Sequence, residues 1–290
     1  IKGIYDTKPD TMRILVTGSA RLDTFRQAGD SLAGRFFAHR LLPFSVAELE
    51  SASVHNPLDI LFERGGFPEP LLAESVAEAE KWRMQYMNGL IRQDILDFEM
   101  VHNLRAMQLL VDMLRDRIGS PVSFASIARD LHLSPTTILR YIEILEALFI
   151  VFRVTPFSRN IARSLRKEAK VYFYDVGMVH NASARLENLV AVSLLKHCYA
   201  KQDQKGEEFH LHYVRTTEGK EVDFCLVANN AIVQLIEVKS QNDTIDKNLH
   251  YFCQKYNLPG VQLVRYLRNE KQTEGIEVRR MEDWLKGLVL

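Results

Sequence analysis

Lys220-Glu-Val-Asp-Phe-Cys-Leu-Val-Ala-Asn-Asn-Ala-Ile-Val-Gln-Leu-Ile-Glu-Val-Lys239 reads as one β-hairpin. Asn229 and Asn230 are turn formers between two β-branched, apolar runs. With a three-residue loop, 229–231, Asp223 falls directly opposite Glu237. Opposed Cβ atoms lie about 4.5–5.5 Å apart, and like charges there repel. Lys239, two residues further on, points the same way as Glu237. A two-residue loop predicts the other outcome, with Asp223 and Glu237 on opposite faces. Two carboxylates forced together in an apolar sheet, beside one ammonium, call for a further cation. Mg²⁺ suits that need because it takes carboxylate oxygens and keeps waters.

The hairpin sits inside a longer pattern. Residues 184–199 are helical, 209–214 form a strand, and 245–256 form a second helix. A strand at 262–267 and a closing helix at 281–288 follow. Three hairpin-linked strands pair antiparallel, and the fourth adds in parallel through a right-handed crossover. His210 and His212 share one strand face, but with no third partner nearby they read as paired surface or core side chains. Cys225 reads as core.

Upstream, Ser123–Leu131 is a short helix, His132-Leu133 a turn, and Ser134 caps a second helix with Pro135 in its first position. That is a helix-turn-helix pattern. Residues 149–154 and 170–174 read as strands flanking a polar loop, the wing of a winged helix. From Arg153 to Lys170 there are six basic residues, Arg153, Arg159, Arg163, Arg166, Lys167 and Lys170, against one acid, Glu168. Arg140 and Thr136 or Thr137 would meet a DNA duplex, and the basic loop would meet phosphates. The competing reading is an interdomain packing module, since Glu143 and Glu146 on the second helix would repel phosphate. Residues 74–118 carry helical periodicity, with interruptions near Asp94–Asp97 and His102. Met12–Gly18 reads as a buried strand.

Length and composition fit several modules in one water-soluble chain. The 290 residues carry 37 basic and 37 acidic side chains, so an anionic partner must be met by a local patch. Three widely spaced cysteines, with no C-x-x-C, signal neither zinc nor a disulfide framework and suggest a reducing, cytoplasmic setting. No apolar stretch reaches membrane-spanning length. The chain opens on Ile1-Lys-Gly-Ile-Tyr-Asp6 without Met, which suggests a fragment.

The order helix-β-β-β-helix-β, with Glu187, Asp223 and Glu237-Val-Lys239, resembles the PD-(D/E)xK, or restriction-endonuclease-like, fold, with Val222 where the name has Pro. The whole chain resembles the C-terminal three quarters of a bacterial and archaeal AAA+ ATPase family. Its members end in a domain of unknown function built from a winged helix and a nuclease-like domain. The resemblance is carried by Ile14-Leu-Val-Thr-Gly-Ser-Ala-Arg21, Gly29-Asp-Ser-Leu-Ala-Gly-Arg35 and Leu42-Pro-Phe-Ser-Val-Ala-Glu48. Gly65-Gly-Phe-Pro-Glu69 and Lys170-Val-Tyr-Phe-Tyr-Asp-Val-Gly177 carry it further.

The resemblance implies an α/β chain of four modules. These are a truncated AAA+ remnant (1–56), a helical lid (57–118), a winged helix (119–179) and a restriction-endonuclease-like domain (180–290). It places Ser19 facing a nucleotide's terminal phosphate and Arg35 against nucleotide in a neighbouring subunit of a homo-oligomer. It also implies a Mg²⁺ nuclease centre. There Asp223 and Glu237 are the metal ligands, Lys239 orients or neutralises, and Glu187 completes the set. No phosphate-binding loop is present. Gly29–Phe36 has the glycine spacing but Arg for Lys, Phe for the metal-binding hydroxyl, and no strand directly before it. ATP is therefore expected only with an upstream segment. The competing class is a non-catalytic scaffold that binds DNA or a protein partner.

Overall fold

The structure is a computed structural model that describes residues 2–18, 34–90, 103–158 and 168–289. The chain opens with α1 (Lys2–Thr7), and the strand expected at 12–18 is not formed. Its residues are exposed, Leu15 by 89%. No neighbouring strand among the described residues accepts its backbone groups, and an unpaired strand is not stable. Ser19 lies outside the described residues.

Helices dominate the next part: α2 (Val46–Ser51), α3 (Pro57–Arg64), α4 (Pro68–Leu72), α5 (Val76–Gly89) and α6 (Leu104–Arg115). The start of α2 is set by a capping box, in which Ser45 accepts from the Glu48 N–H and Glu48 accepts from the Ser45 N–H. Met107, Leu110, Val111 and Leu114 form the buried stripe of α6. The interruptions expected near Asp94–Asp97 and at His102 lie outside the described residues.

Then come α7 (Phe124–Asp130) and α8 (Pro135–Ala147), joined by a turn in which His132 takes φ +53°. Ser134 accepts from the Thr137 N–H, the expected cap. β1 (Val151–Val154) and β2 (Lys170–Phe173) pair antiparallel, Val154 against Lys170. Arg159, Arg163, Arg166 and Lys167 lie outside the described residues.

The C-terminal part contains α9 (Ala182–Lys205), β3 (Phe209–Arg215), β4 (Glu221–Ala228), β5 (Ala231–Lys239), α10 (Lys247–Tyr256) and β6 (Gly260–Val264). β7 (Lys271–Thr273), β8 (Ile276–Arg280) and α11 (Met281–Lys286) complete it. The sheet order is β3-β4-β5-β6-β8-β7. β3, β4 and β5 are antiparallel, and β6 adds parallel to β5 after α10, as the crossover argument expects. The sequence reading missed β7 and β8. β7 is three exposed residues, and β8 alternates buried and half-buried side chains over only five.

The sheet is covered on both faces. Phe224 and Ile236 pack with Leu186, Leu189 and Val190 of α9, in a core that continues through the helices upstream. Cys225 and Leu235 pack with Leu249, Phe252 and Cys253 of α10. α9 is the spine of the molecule. Its Asn188 side chain both accepts from the Phe173 N–H and donates to the Phe173 carbonyl, pinning β2. Lys196 donates to Glu48 and to the Pro43 carbonyl (3.0 Å), and Asp203 pairs with Arg40. Among the described residues no helix is long and apolar enough to cross a membrane.

Candidate functional site

The hairpin turn settles which side chains meet. Asn229 and Asn230, at φ +49° and +61°, make a two-residue turn between Ala228 and Ala231. The turn thus has two residues and not the expected three. Val227 pairs with Ile232, whereas Leu226 pairs with Gln234, so Val233 is an extra residue in β5. This bulge shifts the register by one. Beyond it Phe224 pairs with Ile236, the last pair of the ladder, and Asp223 and Glu237 are the next residue on each strand. In β4 the pairing to β3 slips between Cys225 and Val222, which both pack on the α10 side, so alternation fails there. Asp223 turns to Lys170 and Glu187 on the α9 side, while Glu237 pairs with Lys239, which reaches Asp246 at the start of α10.

Side-chain contacts take over from the ladder here. The Val238 N–H donates to Asp223 Oδ2 (2.9 Å), and the Asp223 N–H lies 3.4 Å from Glu237 Oε2. Lys239 Nζ donates to Glu237 Oε1 (2.7 Å) and pairs with Asp246 Oδ2 (3.0 Å). Asp246 caps α10 through its other oxygen, which accepts from Asn248. Burial, and then Glu187, push the Asp223 carboxyl above the ordinary carboxylate range. Burial, and then Asp223, do the same to Glu237. Burial opposes the Lys239 charge, but its bonds to Glu237 and Asp246 prevail and hold the ammonium above its usual value.

Glu187 approaches from α9 by way of a residue that the sequence reading placed elsewhere. Lys170, counted there among the wing charges, is fully buried. Its Nζ lies 2.8 Å from Glu221 Oε1, 3.3 Å from Glu187 Oε1 and 3.7 Å from Asp223 Oδ1. Burial works against that charge, and the three carboxylates overcome it. The Tyr172 hydroxyl donates to Glu187 Oε1 (2.6 Å). Gly119, at φ +79°, leaves room for the carboxylate, since a Cβ there would stand 2.5 Å from Glu187 Oε2. Lys170, Tyr172, Glu221, Asp246 and Gly119 are thus the residues missed. Signals for some were present. Lys170 and Tyr172 alternate along one strand face, Glu221 sits two residues before Asp223, and Asp246 stands at a helix start.

Part of this cluster lines a cleft of about 670 Å³. Glu187, Asp223, Glu237 and Lys239 form one wall, and Arg115, Gly119 and Ser120 from the upstream modules form another. Among the described residues no three His, Cys, Asp or Glu side chains are grouped to hold one metal ion. A two-carboxylate set is what remains, and it fits Mg²⁺, which binds through one or two carboxylates and fills its other positions with water or substrate oxygens.

The other candidates do not join this cleft. Arg35 pairs with Asp6 (3.0 Å), both partly exposed. Arg140 and Thr136 are exposed on α8, as is Glu143. Arg153 holds Glu146 with two bonds, Nε to Oε1 (2.9 Å) and Nη2 to Oε2 (2.7 Å). Arg153 is therefore engaged rather than offered to phosphate, and Glu146 is neutralised. Of the six basic residues first counted, Arg153 and Lys170 thus leave the wing. The His210 and His212 rings lie 6.3 Å apart, with His212 Nδ1 against Thr155.

Comparison with known proteins divides the chain into three. Residues 1–50 match a family described as an AAA domain, 55–189 a domain of unknown function (DUF8612), and 182–284 a second domain of unknown function (DUF4143). An uncharacterized protein of Mycobacterium tuberculosis, Rv2008c, is 31% identical over 168 residues, 58% of this chain and 37% of the relative. An uncharacterized protein of Haemophilus influenzae is 24% identical over 296 residues, 94% of this chain and 70% of the relative. MJ1544 of Methanocaldococcus jannaschii, also uncharacterized, is 24% identical over 78% of this chain and 54% of its own length. The match to the mycobacterial relative spans little more than a third of that protein. No solved structure matches. A segment similar to an AAA domain, joined to a DUF4143 match, is the organisation these findings support.

Proposed function

We propose that this chain is part of an AAA-type protein that acts on DNA, and that its C-terminal domain carries a Mg²⁺-dependent phosphodiester-cleaving centre of the PD-(D/E)xK kind. One observation carries the reading: Asp223, Glu237, Lys239 and Glu187 line one cleft. Asp223 and Glu237 would hold the ion. When bound, it would lower the pKa of a water and stabilise charge on a phosphate under in-line attack. Lys239, kept protonated by Glu237 and Asp246, is suited to neutralise developing charge rather than to act as a base. Glu187, fixed by Tyr172 and Lys170, borders the same cleft. The α7–α8 pair and the β1–β2 ribbon form the winged helix of this reading. Arg140 and the loop residues Arg159, Arg163, Arg166 and Lys167 would contact phosphates. ATP would enter through an upstream phosphate-binding segment, with Ser19 and Arg35 as sensors.

Cleavage of supercoiled plasmid DNA tests the reading. Nicking that requires Mg²⁺ and disappears in Asp223→Ala is the expected result. DNA binding without any cutting favours a second reading, a non-catalytic scaffold. Lys170 gives that reading its support, because three of the carboxylates already converge on one lysine.

A further inference from the structure

We propose that Lys170 is a positioning residue whose ammonium, delivered from β2, stands in for a second cation and limits the centre to one divalent ion, held between Asp223 and Glu237. The inference rests on the metal-dependent reading above. An ammonium has three donors and no acceptor, and burying it requires partners for all three. Lys170 finds Glu221 at 2.8 Å and Glu187 at 3.3 Å, with Asp223 as a longer ion-pair partner at 3.7 Å. Its place is fixed from both ends. The backbone is paired with Val154 and bridged to Pro121. The Nζ lies 5.4 Å from the centre of the Tyr213 ring and 6.0 Å from that of Phe224.

Two-metal centres set their ions about 3.5–4 Å apart, with both near a shared carboxylate. Asp223 is the carboxylate in that position here. Its Oδ1 faces Lys170 at 3.7 Å, while its backbone and Oδ2 lie toward Glu237 and Val238. A second ion between Asp223 and Glu187 would need the space that Nζ fills. Glu187, Glu221 and Asp223 converge on this nitrogen. Because Lys170 comes from the ribbon after α8, a shift of that ribbon would uncover three carboxylates at once. The charge state of the cleft is therefore tied to the upstream module.

Mn²⁺ binding to the full chain provides the test, read by calorimetry and by electron paramagnetic resonance. One ion per chain, with the spectrum of an isolated Mn²⁺, is expected. In Lys170→Met, a second ion or at least tenfold tighter binding is expected. Two spin-coupled ions in the unaltered protein would overturn the role of Lys170 and leave the metal-dependent reading standing. A folded Lys170→Met, checked by circular dichroism, that binds one ion with unchanged affinity would also overturn it. If Lys170→Met does not fold, the count in the unaltered protein decides. No bound ion there removes both the centre and the inference.

Discussion

Glu237 is placed where its charge is least comfortable. Its side chain is only 7% exposed, it faces Asp223, and its carboxyl is held above the ordinary range by burial and then by that neighbour. The folded protein therefore keeps a proton that the unfolded chain releases. The stabilisation this gives is complete below the ordinary glutamate pKa of about 4.3 and is lost as pH rises toward the folded value. Glu237→Gln mimics the protonated form. In EDTA at pH 8 it should be more stable than the parent by roughly 2 kcal/mol, with the gain shrinking as pH falls toward 5. Urea denaturation across that range measures it. Mg²⁺ should raise the melting temperature of the parent and not that of Glu237→Gln, as mass action on the folded state requires.

Register is decided at the level of the element. A regular hairpin closed by Asn229 and Asn230 would have set Asp223 opposite Ile236. Val233, bulged and 40% exposed, corrects this by one residue. Deleting Val233 joins the Val227–Ile232 and Leu226–Gln234 pairs into an unbroken ladder and leaves every pair beyond it unchanged. The deletion should therefore fold, with stability within about 1 kcal/mol of the parent, as for other exposed positions. It should also keep its Mg²⁺-dependent thermal shift. A protein that unfolds, or that loses the shift, would show that the bulge does more than set the register.

Across the whole molecule, a buried ion pair ties the helical part to the segment that leads into α9. Arg83 of α5 donates from Nε to Asp175 Oδ2 (2.7 Å), and from Nη2 to the Arg64 carbonyl. Gly177 lies against the guanidinium, where a Cβ would collide with it. Burial pushes the Asp175 carboxyl up despite Arg83 beside it. Arg83→Leu strands that carboxylate and should cost about 3–5 kcal/mol in chemical denaturation. Adding Asp175→Asn should recover part of the loss, because the two residues share one interaction. Full additivity of the two losses would mean that the pair is not coupled.

Periodicity and end signals made most elements legible. Ser134-Pro135 marks the start of α8, and the apolar stripe of α6 needs no partner to be read. The hairpin and the parallel addition of β6 follow from residue order; the approach of Asp223 to Glu237 does not, since the two-residue turn by itself sets Asp223 opposite Ile236. A bulge leaves no local mark in the sequence, because an extra residue is defined only by the strand it faces. β8 was missed for a related reason, since five residues become a strand only when β6 lies beside them. The strand read at Met12–Gly18 fails in the opposite sense, with the apolar run present and no strand beside it among the described residues. Lys170 makes the same point about charge. In sequence it is one basic residue after a polar loop, and only folding reveals that it faces inward. The sequence by itself determined which residues can ionise and which elements carry them; the packing of β2 against α9 and β4 decided which charges meet, because burial and partnership belong to no single segment.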